Sequence, residues 1–600
     1  MAGIFTVPVN TWAACTAVLM KYLSVRSQSF AAAWLLLLLL AGPVARAQAP
    51  AWQTANAVGS MSYSGMPYRY SYIVTASTTD AYGNVYMTGA FYGSASFGSI
   101  LLTSLNNPSA GTYDAFVAKY NPATGTFLWA LRAGSNANGN VYTHAIAVSG
   151  ASVYVTGTFD GSASIFGSAP LATSSQEEAY VAKLTDAGSS GTFGWVQRSV
   201  GGSGGRHRLL DVAVNGADVY LLGGFLGTTT FGPATLTAVP GNTSASGTVS
   251  FLAKFTDAGS TGAVRWARTL DGAPENVAVN GANVYVAGEF DGPAISFGAT
   301  ALTNANAQSL DLFIARLSDA GSTSSFADAQ GAGGSGNERV FSLAASATGA
   351  VVTGSYQGPA AFGGVVLPNY QANSNYEAKW NLTGGGFGWV QRSDYGVSKV
   401  VVSGPSVYLA GSFRTGTFGG TALTSTGGGN FTDAFVAKFT DAGSSLGFNW
   451  VQRAGGTNND DATTMSLGGT RVTAQGLYYS SPATFGSLSL TPGGTYGVFL
   501  ASLTDPTLTA TAAPAPLIGF ALSPNPAHTA ATLRLPAVPG AATATLTLLD
   551  ALGRAVRTQL VPLPAAGATA EMALAGLAPG LYRVRVQAGG QQASRALAVE

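Results

Sequence analysis

Three histidines and two pairs of adjacent acids are the residues of this 600-residue chain whose types could carry acid–base or metal chemistry. His144, His207 and His528 fall in separate stretches, with neither the H-x-x-x-H nor the H-E-x-x-H spacing that puts two imidazoles on one metal ion. Glu177-Glu178 and Asp460-Asp461 could supply the two carboxylates of glycoside hydrolysis. Adjacent residues on a strand point to opposite faces, however, and in a loop they are simply solvated. No G-x-S-x-G elbow, P-loop or dinucleotide fingerprint occurs. The single cysteine, Cys15, lies in an N-terminal segment expected to be removed, which leaves no disulfide, thiolate zinc site or cysteine nucleophile. The expectation is a protein without catalytic residues, metal or cofactor.

The elements around these residues repeat. An apolar-x-Gly-x-aromatic motif recurs seven times, as in "VYVTGTF" (Val153–Phe159), with glycines Gly89, Gly157, Gly223, Gly288, Gly354, Gly411 and Gly476. The intervals are 68, 66, 65, 66, 57 and 65 residues. Each copy continues into a Phe-Gly pair (Phe97, Phe166, Phe231, Phe297, Phe362, Phe418 and Phe485) and then an alternating strand such as "DAFVAKY" (Asp114–Tyr120). That alternation predicts a half-buried strand. The turn "TDAGS" follows at Thr185–Ser189, Thr256–Ser260 and Thr440–Ser444, with "SDAGS" at Ser318–Ser322. Its Asp and Gly suit a tight hairpin better than a catalytic role.

A last strand carries Trp129, Trp195, Trp266, Trp389 or Trp450, with Phe326 in that place in the fourth copy. The seventh copy has none, and Trp52 in "AWQTANAVGS" stands alone near the start. Seven four-stranded units joined end to end would explain this orphan. The predicted fold is all-β, a seven-bladed β-propeller closed by the N-terminal strand Ala51–Val58, with a small β-sandwich after it. An open solenoid would leave the orphan strand unexplained.

Only 9% of the residues are charged, 46% are hydrophobic and 79 are Gly, as expected of a β-rich folded chain with many turns. Between residues 50 and 505 stand 19 basic and 24 acidic residues, a net of −5. With only "GGRHRLL" (Gly204–Leu210) as a basic cluster, nucleic acid is not expected as a partner. Loops such as "SMSYSGMPYRYSY" (Ser60–Tyr72) suit hydrogen bonding and stacking with an extracellular glycan or protein ligand, and suit plain connecting loops equally.

Residues 1–49 read as a secretory signal, with Lys21 and Arg26, the apolar "AAAWLLLLLLA" (Ala31–Ala41) and A-x-A cleavage sites ending at Ala47 and Ala49. Met20 is an alternative start. The apolar run is too short to span a bilayer, so the mature chain is not expected to be an integral membrane protein. Residues 506–516 form a Thr/Ala/Pro linker before a tail at 517–600 with six Arg, no Lys and three acids.

The pattern "DAFVAKF…W…G…VYVTG" over residues 51–505 resembles the SBBP class of bacterial β-propeller repeats. It is less similar to integrin-type FG-GAP repeats, whose D-x-D-x-D-G calcium cage is absent, and the S-x-D-x-G-x-T-W box of sialidase propellers is absent too. The tail resembles the type A C-terminal sorting domain of the type IX secretion system of Bacteroidetes. The matching residues are Pro524-Asn525-Pro526, Asp550 with Gly553-Arg554, and Leu577 through Gly580-Leu581-Tyr582. This resemblance implies export by the Sec and then the type IX machinery, via the periplasm, to the outer surface or the medium. The reading that follows is a non-catalytic adhesion, ligand-binding or scaffold module. The alternative is a polysaccharide-active hydrolase or lyase with catalytic residues scattered over loops.

Overall fold

The computed structural model describes residues 49–58, 73–105, 111–135, 139–160, 164–171, 177–201, 207–232, 234–238, 248–304, 306–368, 374–493, 495–508, 515–516, 520–538, 543–550, 555–564, 566–588 and 591–600. Among them every regular element is a β-strand, and the fold is all-β. The described sheets include seven that are four-stranded, antiparallel and open at both edges, or extended at one edge. Sheet 1 runs Ile73–Thr79, Val85–Phe91, Asp114–Asn121 and Thr126–Ser135, in chain order and in spatial order alike. Sheets 2 to 7 begin at Val141–Ser149, His207–Asn215, Ala273–Asn280, Glu338–Ser346, Gly396–Ser403 and Asp460–Gly468. The fourth strand of sheet 7 is Trp52–Ala57, paired antiparallel with Gly497–Thr504. First strands pack side by side from sheet 1 to sheet 7, and Asp460–Gly468 packs in turn against Ile73–Thr79. There the Ser77 hydroxyl lies 3.4 Å from that of Thr464, and the Thr79 hydroxyl donates to the Leu467 carbonyl.

The defining glycines sit on second strands where the first strand bulges. A Cβ on Gly157, Gly223, Gly288, Gly354, Gly411 or Gly476 would stand 1.8–2.2 Å from a first-strand carbonyl oxygen, closer than any side chain tolerates. The Phe-Gly pair turns a small hairpin between second and third strands. Its Phe packs on a third-strand ring 4.6–5.1 Å away in all seven copies, and its Gly has φ of 54–64°.

Two expectations need correcting. The third strands are buried on both faces, not one. Large rings such as Phe116 and Tyr120 fill the sheet's own side, while Ala115, Val117 and Lys119 let the next sheet close over the other. Phe326 and Trp52 also do not occupy the Trp position. Trp129 and Trp450 stand opposite Lys119 and Lys438, whereas Phe326 faces Leu317 and Trp52 faces Leu503. Each falls two residues early, in the place of Phe127 or Phe448, so Asp328 and Thr54 hold the Trp positions. Trp52–Ala57 pairs with Gly497–Thr504 in this shifted register.

The Asp of the "TDAGS" turn does more than shape the turn. Asp257 accepts from Gly259 N at 2.9 Å within its turn. From the preceding sheet it also takes Lys183 Nζ at 2.5 Å, Tyr154 OH at 2.7 Å and Trp195 Nε1 at 3.1 Å. Asp186 and Asp319 gather the same Lys, Tyr and Trp types from the sheet before; Asp441 takes Lys379 and Trp389, and Asp505 takes Lys438 and Tyr408. Burial raises the carboxyls of Asp257, Asp319, Asp441 and Asp505, but these donors outweigh it and the net shift is downward. At the two remaining junctions the turn residue is Asn121 or Asn381, and the facing Lys position holds Ser502 or Arg316. Arg316 pairs instead with Asp328 of its own sheet, at 2.8 Å. A buried charge without its partner is costly, and cation, Trp and Asp are accordingly present or replaced together.

Other carboxyls are buried without a salt bridge among the described residues. Burial pushes Glu338 up to about 8, helped by the charge of Asp311. Burial likewise pushes Glu289 and Glu377 up to about 7. Groups whose pKa is raised on folding hold protons that the unfolded chain releases near pH ~4.3. Their stabilising effect is complete below that value and is lost as pH rises through the folded values. The melting temperature should therefore fall steadily from pH 5 to pH 9, and Glu338→Gln should flatten that slope. Equal slopes for variant and parent would refute this origin.

The tail is a two-layer sandwich. Ala515–Pro516, Gln591–Val599, Gly580–Ala588, Thr543–Leu549 and Ala555–Pro562 form one sheet, and Ala521–Ser523, Ala530–Leu535 and Ala568–Ala573 the other. Leu533, Leu546, Met572, Val584 and Leu597 fill the space between them.

Candidate functional site

The residues first considered for chemistry do not converge. Glu178 is buried and pairs with Arg198, while its neighbour Glu177 turns away to Arg208 at 3.5 Å. Asp460 is buried under Ser480 and the Gly456, Tyr479 and Ser480 amides, and Asp461 accepts from Thr432 Oγ1 at 2.9 Å. His207 Nδ1 lies 3.0 Å from Ser199 Oγ in the core, and exposed His528 is 3.5 Å from Glu600. Among the described residues no three His, Cys, Asp or Glu side chains are grouped to hold a metal ion.

What the fold does bring together is a ring. Every first strand carries one β-bulge, always opposite the glycine of the repeat motif. The extra residues are Thr75, His144, Leu210, Glu275, Phe341, Ser398 and Thr463. Bulges re-aim a side chain out of the ladder, and Thr75, Glu275, Phe341, Ser398 and Thr463 are exposed. Two residues before a bulge stand Arg208 and Arg339, also exposed. Burial, with Arg208 nearby, lowers His144 to about 4, so its ring is neutral at pH 7. Burial raises the Asp211 carboxyl, which Lys399, three sheets further on, counteracts. The ring therefore offers guanidinium groups, hydroxyls, a neutral imidazole and an open phenyl face. These suit hydrogen bonding and stacking. The acids at and beside the bulges are Glu275, Asp211 and Asp461.

Sequence reading missed this ring, although a signal exists. The bulge residue stands thirteen positions before the motif glycine in six copies and fourteen in the first. At that position the copies hold Thr, His, Leu, Glu, Phe, Ser and Thr, and the positions two before and one after it vary as widely.

In the tail, two of the expected motif residues, Asn525 and Tyr582, act as fasteners. Asn525 Oδ1 accepts from Ala598 N and its Nδ2 donates to Ala596 O, both at 2.8 Å, which binds the Pro524-Asn525-Pro526 loop to the last strand. Both peptide bonds before these prolines are cis. Tyr582 OH donates to Ala578 O at 2.9 Å and closes the turn leading into Gly580. Asp550 is half-buried at the end of its strand, and Gly553 and Arg554 lie outside the described residues. Of the cleavage residues, Ala49 packs against the core of sheets 6 and 7, and Ala47 lies outside the described residues.

Residues 521–600 match the family described as the secretion system C-terminal sorting domain. The tail is a type IX sorting domain. It marks the chain for Bacteroidetes-type export, with secretion and attachment at the cell surface as the outcomes it supports, and the type IX machinery as its partner. No curated protein matches the chain. No described helix is long and apolar enough to cross a membrane.

Proposed function

We propose that residues 50–505 are a seven-bladed β-propeller of the SBBP-like kind, carried to the outer surface as a non-catalytic ligand-binding module. Support for the propeller comes from the first strands, which contact one another in sequence from sheet 1 to sheet 7 and back to sheet 1. The observation that carries the binding role is the bulge ring. Seven copies keep the same core, glycine and hairpin, yet at the bulge register they present three hydroxyls, an imidazole, a carboxyl, a phenyl and a leucine. Uniform packing explains the shared positions and not this one. The chemistry of the ring fits a neutral or weakly acidic glycan, or a loop of a surface protein.

The test is a panel of bacterial, plant and algal polysaccharides incubated with the exported full chain, scoring retention and release of new sugar ends. Retention without release is the expected result, weakened about tenfold, or ~1.4 kcal/mol, in Arg208→Ala/Phe341→Ala. Release of sugar ends would overturn the non-catalytic reading and establish the hydrolase or lyase. Retention unchanged in the variant would move the site off the ring.

A further inference from the structure

The five-stranded sheet of the tail has a distinctive outer face. Val584 and Val586 point into the sandwich core, so Arg583 and Arg585 point outward from the same strand. Two residues along a strand lie roughly 7 Å apart. Across the sheet, Arg585 neighbours Thr547, which neighbours Thr558, while Arg583 lies between Leu549 and Ala596. The strands of this sheet contain four arginines, Arg557, Arg583, Arg585 and Arg595, and no Asp or Glu. Arg585 Nε is buried and has no hydrogen-bond acceptor among the described residues. Leu560 and Leu581 are 67% and 65% exposed at opposite margins of the same face. A cationic pair with two exposed leucines on the same face offers the arginine and apolar contacts enriched at protein interfaces. The planar fork of Arg matches carboxylates and phosphates alike, and the exposed leucines beside it favour the carboxylates of a protein surface.

We infer that this face docks an acidic protein surface of the export apparatus, with Arg583 and Arg585 taking carboxylates and Leu560 and Leu581 packing at the margins. The inference rests on the export reading of the tail and names the surface that performs it.

The test expresses the full chain in a type IX-competent bacterium. Its variants are Arg583→Glu/Arg585→Glu, Arg534→Glu on the opposite sheet, and a truncation after Pro516. The expected result is wild-type export for Arg534→Glu and at least a tenfold loss for the double variant, with unchanged protease resistance of the retained protein. Should the double variant misfold, Arg583→Gln/Arg585→Gln replaces it with the same expectation. Wild-type export of either double variant overturns the inference. Normal export with loss of surface attachment also overturns it, and assigns the arginines to glycolipid phosphate instead. Export of the truncated chain would refute the export reading itself, whatever the arginines do.

Discussion

Asp257→Ala is expected to lower the free energy of unfolding by about 4 kcal/mol, the scale of breaking a buried ion pair from one side. The substitution strands Lys183, whose side chain is 8% exposed, and removes the acceptor of Tyr154 OH and Trp195 Nε1 at once. The chain contains its own control, because two junctions manage without the cluster. Copying the junction between sheets 7 and 1, as Lys183→Ser/Trp195→Thr/Asp257→Asn, should recover most of the loss by removing the unpaired charge. Urea titration of the three proteins measures both effects. A single variant within ~1 kcal/mol of the parent would mean that the cluster is only an exposed ion pair.

Gly411→Ala should cost a comparable amount, about 3 kcal/mol. Its Cβ would lie 1.9 Å from the Gly396 carbonyl oxygen and 3.0 Å from Val397 Cα, both of them backbone that cannot rotate away. Relief requires opening the bulge, and with it the junction to the neighbouring first strand. Gly364→Ala is the matched control: that glycine has nothing within 4 Å of the added carbon and should change stability by less than ~0.5 kcal/mol. Equal midpoints for the two variants in the same titration would show that the motif glycine serves some purpose other than close approach.

How much was legible in the sequence depended on the range of the interaction. The Gly and Phe-Gly landmarks act within one repeat, so their spacing revealed seven copies and the orphan strand. The Trp alignment misplaced Trp52 and Phe326 because one conspicuous residue was matched, when the true signal is an aromatic two residues before the Trp, as in Phe448-Asn449-Trp450. The clusters around Asp186, Asp257 and Asp319 were legible only as turns, since their cations come from the previous repeat, 65 to 74 residues earlier. The bulge ring stayed hidden for the opposite reason: no single residue type marks its positions, which only their distance from the motif glycine aligns. In the tail, Asn525 was singled out by type, but its role in fastening the last strand rests on the backbone partners Ala596 and Ala598, which no side-chain pattern announces.

The account turns on closure of the seven sheets, and one crosslink tests it. Cys15 is the chain's single cysteine and lies in the predicted signal. Ser77→Cys/Thr464→Cys would therefore place two thiols where hydroxyls now stand 3.4 Å apart, on first strands 387 residues distant in sequence. Under mild oxidation the doubly substituted protein should form an intramolecular disulfide in nearly full yield, read as the loss of two hydrogens in the intact mass and of both free thiols. Two thiols that remain fully reactive in the folded protein would contradict the ring and favour an open array of repeats.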